Sequence, residues 1–304
     1  MTKEPDPRLI ELIGSIDASR ITNVTHLKKE RQDLLVSCES GRKHLIRFEK
    51  KHISLIHQKW AYEKMRSGGI PCPEIEAFVE TEKDIPEGCM ILSWIDAIPA
   101  AVIIGREGRN ERSMKVCYKA GEVLKSLHSV QIDGPIPDYV FISDRQVAHR
   151  WSRRAAKSLL EHDLIDQAFA ERFLALADEC AQSIPDPVPH NLCFWDMHFF
   201  NIIVYDTEEP EIAGIIDVEE TGVGWPMWDF TNWERWGLYY GDAWVRDPVL
   251  EAYGEIDMAM YRFAVMTRMA QHPEIFTGTI REQVTRAVDA QDIMAFDLDK
   301  LYPQ

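Results

Sequence analysis

Phe194-Trp-Asp196-Met-His-Phe-Phe-Asn201-Ile-Ile-Val204 is the stretch from which the rest of this 304-residue chain can be read. A carboxylate stands five residues ahead of an Asn, and the Asn leads straight into an apolar run. After the turn Thr207-Glu-Glu-Pro210 a second apolar run, Ile212 to Val218, carries Asp217 near its end. Read as one hairpin, the segment can bring three oxygen-bearing side chains, Asp196, Asn201 and Asp217, to a single cleft. Such a set suits Mg²⁺, which takes oxygen ligands and usually binds together with substrate phosphates. It also suits phosphoryl transfer, in which a carboxylate orients a hydroxyl and metal ions neutralise phosphate charge. The plainer alternatives are a turn cap by Asp196 and Asn201 and a surface-facing strand end at Asp217.

Working outward, residues 7–18 read as a short helix and residues 20–48 as strands. Segments 33–38 and 43–48 flank Glu39-Ser40-Gly41-Arg42, a hairpin pattern. Ile53, Ile56, Trp60 and Met65 recur near helical spacing and predict a helix over 53–67 that stops at Gly68-Gly69. Residues 75–80 and 89–95 read as two further strands. Beyond Asp96 the pattern turns helical: 111–129, with Val116, Ala120, Val123, Leu124 and Leu127 on one stripe, then 147–181 in one or two pieces. Pro185, Pro187 and Pro189 interrupt before the opening stretch, and 229–240, 247–271 and 278–294 read as helices after it. The expected class is α+β: a small antiparallel sheet over 1–93, a hinge at 94–97, and a mostly helical region, 98–304, carrying the central hairpin.

Composition bounds the function. With 34 basic and 50 acidic residues the formal charge is -16. Such a chain repels polyanions, so nucleic acid is not an expected partner, and a cationic small molecule is weakly favoured. No run of 18 apolar residues predicts a membrane span, and MTKEPDPRLI lacks the pattern of a secretory signal. Six scattered Cys without a CxxC pair read as free thiols in a reducing compartment, so a cytoplasmic location is expected and zinc is not.

The stretch 194–204 resembles the catalytic loop of the aminoglycoside phosphotransferase family, whose usual form is His-Gly-Asp-x-x-x-x-Asn. Four other stretches resemble that family in the same order: LIRF (45–48) with Glu63, MILSWIDA (90–97), AGEVLKSLHSV (120–130) and IAGIIDVEETGVGWPMWDF (212–230). The resemblance spans about residues 20 to 240. It implies a bilobal, protein-kinase-like fold and transfer of the γ-phosphate of ATP or GTP to a hydroxyl of a small molecule. An antibiotic such as an aminoglycoside is the first acceptor it implies. On this resemblance Asp196 orients the hydroxyl or accepts its proton, and Asn201 and Asp217 hold Mg²⁺. Arg47 contacts the α- and β-phosphates with Glu63 holding it in place. The Ser93 carbonyl and the Ile95 N–H meet the adenine edge, and Leu92, Ile203 and Ile216 sandwich the base. Asp229 braces the loop, His128 is a buried helix-end His, and His198 supports the loop.

The chain departs from that pattern at three places. Phe194-Trp195 stands where His-Gly is usual. Arg47 stands for the more usual Lys, and the two are not interchangeable at a phosphate. Residues 23–34, expected to cover the phosphates, contain no Gly, which points to a different clamp built on Lys28, Lys29 or Arg31. These departures motivate a second reading, a nucleotide-binding pseudokinase. A metabolic kinase for a choline-like, sugar or nucleoside acceptor is a third. A protein kinase is disfavoured, since no Ala-Pro-Glu follows Asp217. The aromatic cluster Trp225, Trp228, Trp233, Trp236, Tyr239 and Tyr240 reads as core, with the alternative that part of it lines an acceptor site. Glu219-Glu220 reads as a solvated face or as a contact for a cationic substrate.

Overall fold

Gly41, at φ +85°, closes the hairpin of residues 34–48, a conformation open to glycine without steric cost. Its N–H donates to Cys38 O at 3.0 Å and Cys38 N–H donates to Arg42 O at 3.0 Å. This computed structural model describes residues 7–27, 33–48, 52–80, 88–240 and 243–301. The chain forms two compact units, Met1–Ala97 with Ala213–Glu219, and Ile98–Ile212 with Glu220–Gln304. Thus the first unit includes a second segment of chain that no single cut in the sequence separates.

In the first unit α1 (Pro7–Gly14) precedes three strands, β1 (Ile21–His26), β2 (Leu34–Cys38) and β3 (Lys43–Phe48). Helix α2 (His52–Ser67) follows, then β4 (Ile75–Val79) and β5 (Cys89–Ser93). The sheet order is β1-β2-β3-β5-β4, with every neighbouring pair antiparallel. The strand period of two sorts its faces: Val36, Cys38, Ile46 and Ile91 pack with Ile13 of α1 in one buried cluster. Each such aliphatic contributes roughly 1.5–3 kcal/mol by leaving water. Arg47, one residue on from Ile46, points to the other face, where α2 lies. That helix buries Leu55, Gln58, Tyr62 and Met65, a 3-4-3 spacing that marks one stripe. It ends at Gly69, φ +74°.

The second unit begins with β6 (Ile98–Pro99), α3 (Ala100–Glu107) and α4 (Glu111–Ser129). The α4 N-terminus is fixed by Asn110, whose Oδ1 accepts from Ser113 N–H at 2.8 Å, worth about 1 kcal/mol. Then come β7 (Ile142–Ser143), α5 (Arg145–Glu161), α6 (Gln167–Gln182), β8 (Leu192–Cys193) and β9 (Ile202–Val204). Strand β10 (Ile212–Ile215), whose residues from Ala213 on belong to the first unit, precedes β11 (Gly222–Gly224), α7 (Thr231–Tyr240), α8 (Arg246–Tyr253), α9 (Met258–Ala270) and α10 (Gly278–Ala290) of the second. A Cβ on Gly121 of α4 would sit 2.3 Å from the backbone oxygen of Val249 of α8, so the two helices approach backbone to backbone only because that position lacks a side chain.

Several expectations are corrected. The predicted helix 247–271 is two helices, because Gly254 (φ +95°) ends α8 and Asp257 caps α9. The stretch 147–181, read as one or two helices, is two, with Asp166 accepting from Phe169 N–H at 2.7 Å to start the second. Helix α3 has no counterpart in the sequence reading. Among the described residues no helix is long and apolar enough to cross a membrane. All six cysteines are free, five of them buried. The proposed clamp at Lys28, Lys29 and Arg31 lies outside the described residues.

Candidate active site

Strand β8 delivers the chain to the loop 194–201, and a buried carboxylate receives it. Asp229, fully buried in the 3₁₀ turn Pro226–Phe230, accepts from Phe194 N–H at 2.8 Å and from Trp195 N–H. Its Oδ2 also bonds His128 Nε2 at 2.8 Å, at the end of α4, and His128 Nδ1 meets the Tyr253 hydroxyl at 3.0 Å. Hydrogen bonds to a charged group are worth about 1.5–3 kcal/mol each, which offsets the cost of burying the carboxylate. Asn191 Nδ2 donates to His128 O at 2.9 Å and Asn232 Nδ2 to Trp195 O at 3.0 Å, so both ends of the bend are tied. Asp229 braces the loop and His128 is the buried helix-end His that the sequence suggested.

The bend itself explains the unusual Phe-Trp. Trp195 has φ +59°, the left-handed region where Gly is the easy residue. Phe194 is buried, and the Trp195 ring packs edge-on to Phe141 with centroids 4.4 Å apart. Gly222 of β11 makes room for it: a Cβ there would lie 2.7 Å from the Trp195 ring and 2.5 Å from Phe141 O. Packing thus compensates a strained backbone of about 1–2 kcal/mol.

One residue later comes Asp196, half-exposed. Asn201 Nδ2 donates to Asp196 O at 3.0 Å and to Asp196 Oδ2 at 3.2 Å, and His198 Nε2 stands 3.5 Å from the same Oδ2. The structure therefore brings Asp196 and Asn201 together and sets His198 beside them. With its Nδ2 facing Asp196, Asn201 has its carbonyl Oδ1 on the other side of the amide, an oxygen donor of the type Mg²⁺ takes. Asp196 borders a cavity of about 320 Å³. Three tryptophans wall it: Trp195, Trp151 of α5 and Trp228, the last two edge-to-face with centroids 4.3 Å apart. Glu220, Thr231 and Arg268 complete it. Trp225 and Trp233 are core, as expected, while the side chains of Trp236, Tyr239 and Tyr240 lie outside those described. Trp151 and Arg268 were not anticipated, because only the packing of α5 against α9 brings them to the loop.

In the first unit Asp217 sits at φ +63°, a left-handed conformation that Asp tolerates better than most residues. Its backbone meets the hydroxyl of Tyr62, a phenol that burial pushes well above its ordinary pKa. Its carboxylate, like Asn201, is an oxygen donor that fits Mg²⁺. Arg47 is buried, but Glu63 does not hold it. Glu63 is exposed and pairs with Lys59 at 2.6 Å. Arg47 Nη1 instead donates to Gln58 Oε1 at 2.6 Å and lies 3.4 Å from Glu219 Oε1, with Nε 3.5 Å from Asp33 Oδ1. The reason is helical phase: Gln58 is on the buried stripe of α2 and Glu63 is off it. Leu92 is fully buried in β5. Ser93 spends its N–H on Glu74 O at 2.8 Å, and its hydroxyl accepts from Glu74 N–H at 2.8 Å. The Ile95 side chain packs on Gly214, where a Cβ would come within 2.4 Å of it. Ile216 is half-buried in the first unit, and Ile203 is buried in the second.

Comparison with known proteins agrees with this architecture. No curated protein matches the chain. Among solved structures, a spectinomycin phosphotransferase in complex with ADP and spectinomycin superposes with a TM-score of 0.59, covering 98% of this chain and 100% of that one at 16% identity. An ADP-bound aminoglycoside phosphotransferase gives 0.59 over 96% and 99% at 15% identity, and a type I macrolide 2'-phosphotransferase 0.58 over 99% and 95% at 14%. These likenesses show the fold, α+β and protein-kinase-like. The profile described as the phosphotransferase enzyme family matches residues 43–271, and the chain belongs to that family.

Proposed function

We propose that this enzyme moves the γ-phosphate of ATP or GTP to a hydroxyl of a small molecule, with Asp196 as the catalytic residue. The observation that carries this reading is the position of Asp196: on a loop clamped through its backbone, fastened to Asn201, and bordering a cavity large enough for a small acceptor. The acceptor oxygen bonds to phosphorus, the bond from phosphorus to the β-phosphate oxygen breaks, the nucleoside diphosphate leaves, and the hydroxyl proton passes to the Asp196 carboxylate. A carboxylate is a weak base, which suits a loose transition state needing little deprotonation. Asn201 and Asp217 are the oxygen donors for Mg²⁺, which supplies neutralisation of the phosphate charge. Arg47 serves the α- and β-phosphates, positioned by Gln58 rather than Glu63. Ser93 and Ile95 offer backbone groups to the adenine edge, and Leu92, Ile203 and Ile216 its apolar contacts.

That two relatives of this fold were solved with ADP, one of them also with spectinomycin, supports a nucleotide cosubstrate and makes a hydroxylated antibiotic a reasonable first acceptor to try. The test is release of ADP or GDP with Mg²⁺ across aminoglycosides, macrolides and nucleoside antibiotics. Release that depends on one acceptor and falls at least a hundredfold in Asp196→Asn is the expected result. Release that Asp196→Asn leaves intact would overturn the assignment of Asp196, and absence of both release and nucleotide binding would favour the pseudokinase.

A further inference from the structure

The charge an acceptor meets is the charge of the pocket, not the -16 of the chain. Arg268, on α9, lines the same cavity as Asp196. Its Nε is buried without a hydrogen-bond partner, and its Nη1 reaches only Gln271 Oε1 at 3.4 Å. Among the described residues no carboxylate oxygen lies within ion-pair distance of it. Burial is the main force lowering its pKa, and the like charges of Arg235 and Arg154 add to that against the pull of Asp196 and Glu220. His272, half-buried, is lowered for the same reasons, by burial first and then by Arg268 and Arg235. Among the described residues Arg268 is thus the one basic side chain on the cavity wall, and the charges of Arg235 of α7 and Arg154 of α5 act on it, in a protein with a large acidic excess.

A sequestered guanidinium without an acidic partner is costly to keep. A ligand oxyanion removes that cost, since the planar fork of Arg matches a carboxylate or phosphate bidentately. Besides Asp196, Glu220 and Thr231, the pocket's other walls are the three tryptophans, which suit a flat apolar body. The exposed Glu220 can remain solvated.

We propose that the acceptor carries an oxyanion, a carboxylate or a phosphate, which Arg268 holds while the acceptor's hydroxyl is presented to Asp196. This rests on the phosphotransfer reading of Asp196 for the role of the hydroxyl, but not for the binding of the anion. It predicts a hydroxylated acid in place of the polycation that the net charge alone suggested.

The experiment is binding of four matched probes, followed by saturation-transfer NMR on the full chain: 4-(hydroxymethyl)benzoate, 4-(hydroxymethyl)phenyl phosphate, 4-(hydroxymethyl)benzamide and 4-(hydroxymethyl)benzylamine. The expected result is that at least one oxyanion binds tenfold or more tighter than the amide, the tighter of the two naming the source. Arg268→Gln should cut that preference below twofold, while Arg268→Lys, which keeps the charge without the fork, should retain part of it. Titration of Mg²⁺ and ADP by calorimetry on the same samples should be unchanged. Equal or absent binding of both oxyanions, tighter binding of the amine, or a preference that survives Arg268→Gln would overturn the proposal. Loss of ADP binding in the unaltered protein would instead count against the phosphotransfer reading, with the oxyanion preference still scored on its own.

Discussion

The loop around Asp196 and the surroundings of Arg47 each hold a residue that we propose for phosphate chemistry, yet they do so by different means. The loop is held through its backbone: Asp229 takes the N–H groups of residues 194 and 195, and every residue except Pro supplies an N–H. Phe-Trp can therefore stand where His-Gly is usual without loss of the clamp. Arg47 is held by side chains, Gln58, Asp33 and Glu219. Those contacts depend on identity and on helical phase, and there the family's usual partner position does not serve. A backbone-held site tolerates substitution at the held residues, whereas a side-chain-held site changes its partners.

The comparison can be broken most sharply at its chemical end. Asp196→Asn should lower kcat by about 10²–10⁴-fold while shifting the urea midpoint little, since Asp196 is half-exposed and the clamp does not use its side chain. An equal loss of stability would mean that the carboxylate supports the loop rather than acts. Asp229→Ala should cost about 3–5 kcal/mol in equilibrium unfolding, because it strands two N–H groups and His128 in the interior. A cost below 1 kcal/mol would show that the loop is held by packing of Phe194 and Trp195.

Another buried carboxylate of the same unit sharpens the contrast through pH. Glu234 is fully buried and accepts from the Tyr261 hydroxyl, with Arg246 Nη1 3.7 Å away. Burial outweighs both and raises its pKa from 4.5 to about 7. The folded state then holds this proton more tightly than the unfolded one. Its contribution is fully present below about pH 4.5 and is lost as pH rises through about 7. Thermal unfolding between pH 5 and 7.5 should show that decline, and Glu234→Gln should flatten it. The smallest effects test the partner of Arg47. Gln58→Ala should cost about 1–2 kcal/mol and weaken nucleotide binding, whereas Glu63→Ala, which removes only an exposed i,i+4 pair, should cost about 0.5 kcal/mol or less. The reverse order would restore Glu63.

What could be read from the sequence follows the same division. The hairpin at Gly41, the stripe of α4 and the spacing of Asp196 and Asn201 are local, and each is visible in a window of a dozen residues. The break at Gly254 was also local but was outweighed by continuous helical character on both sides. Helix α3 is eight residues long, starts after Pro99 and has no side-chain cap, so no signal announces it. The choice of Gln58 over Glu63 is one of helical phase, since Gln58 shares the stripe of Leu55, Tyr62 and Met65 and Glu63 does not. Arg268 is another matter: 72 residues beyond Asp196 in sequence, it reaches the pocket only through the packing of α9 on α5.

The distribution of free thiols has a use of its own. Cys38, Cys72 and Cys89 belong to the first unit and Cys117, Cys180 and Cys193 to the second. Desolvation pushes all six thiols up, Cys72 and Cys180 to about 12 and Cys89 to about 11. Alkylating agents attack only the thiolate, so each cysteine stays silent until its surroundings open. Pulse alkylation read by peptide mass spectrometry would then time the opening of each half of the chain separately, three reporters apiece, with no label introduced.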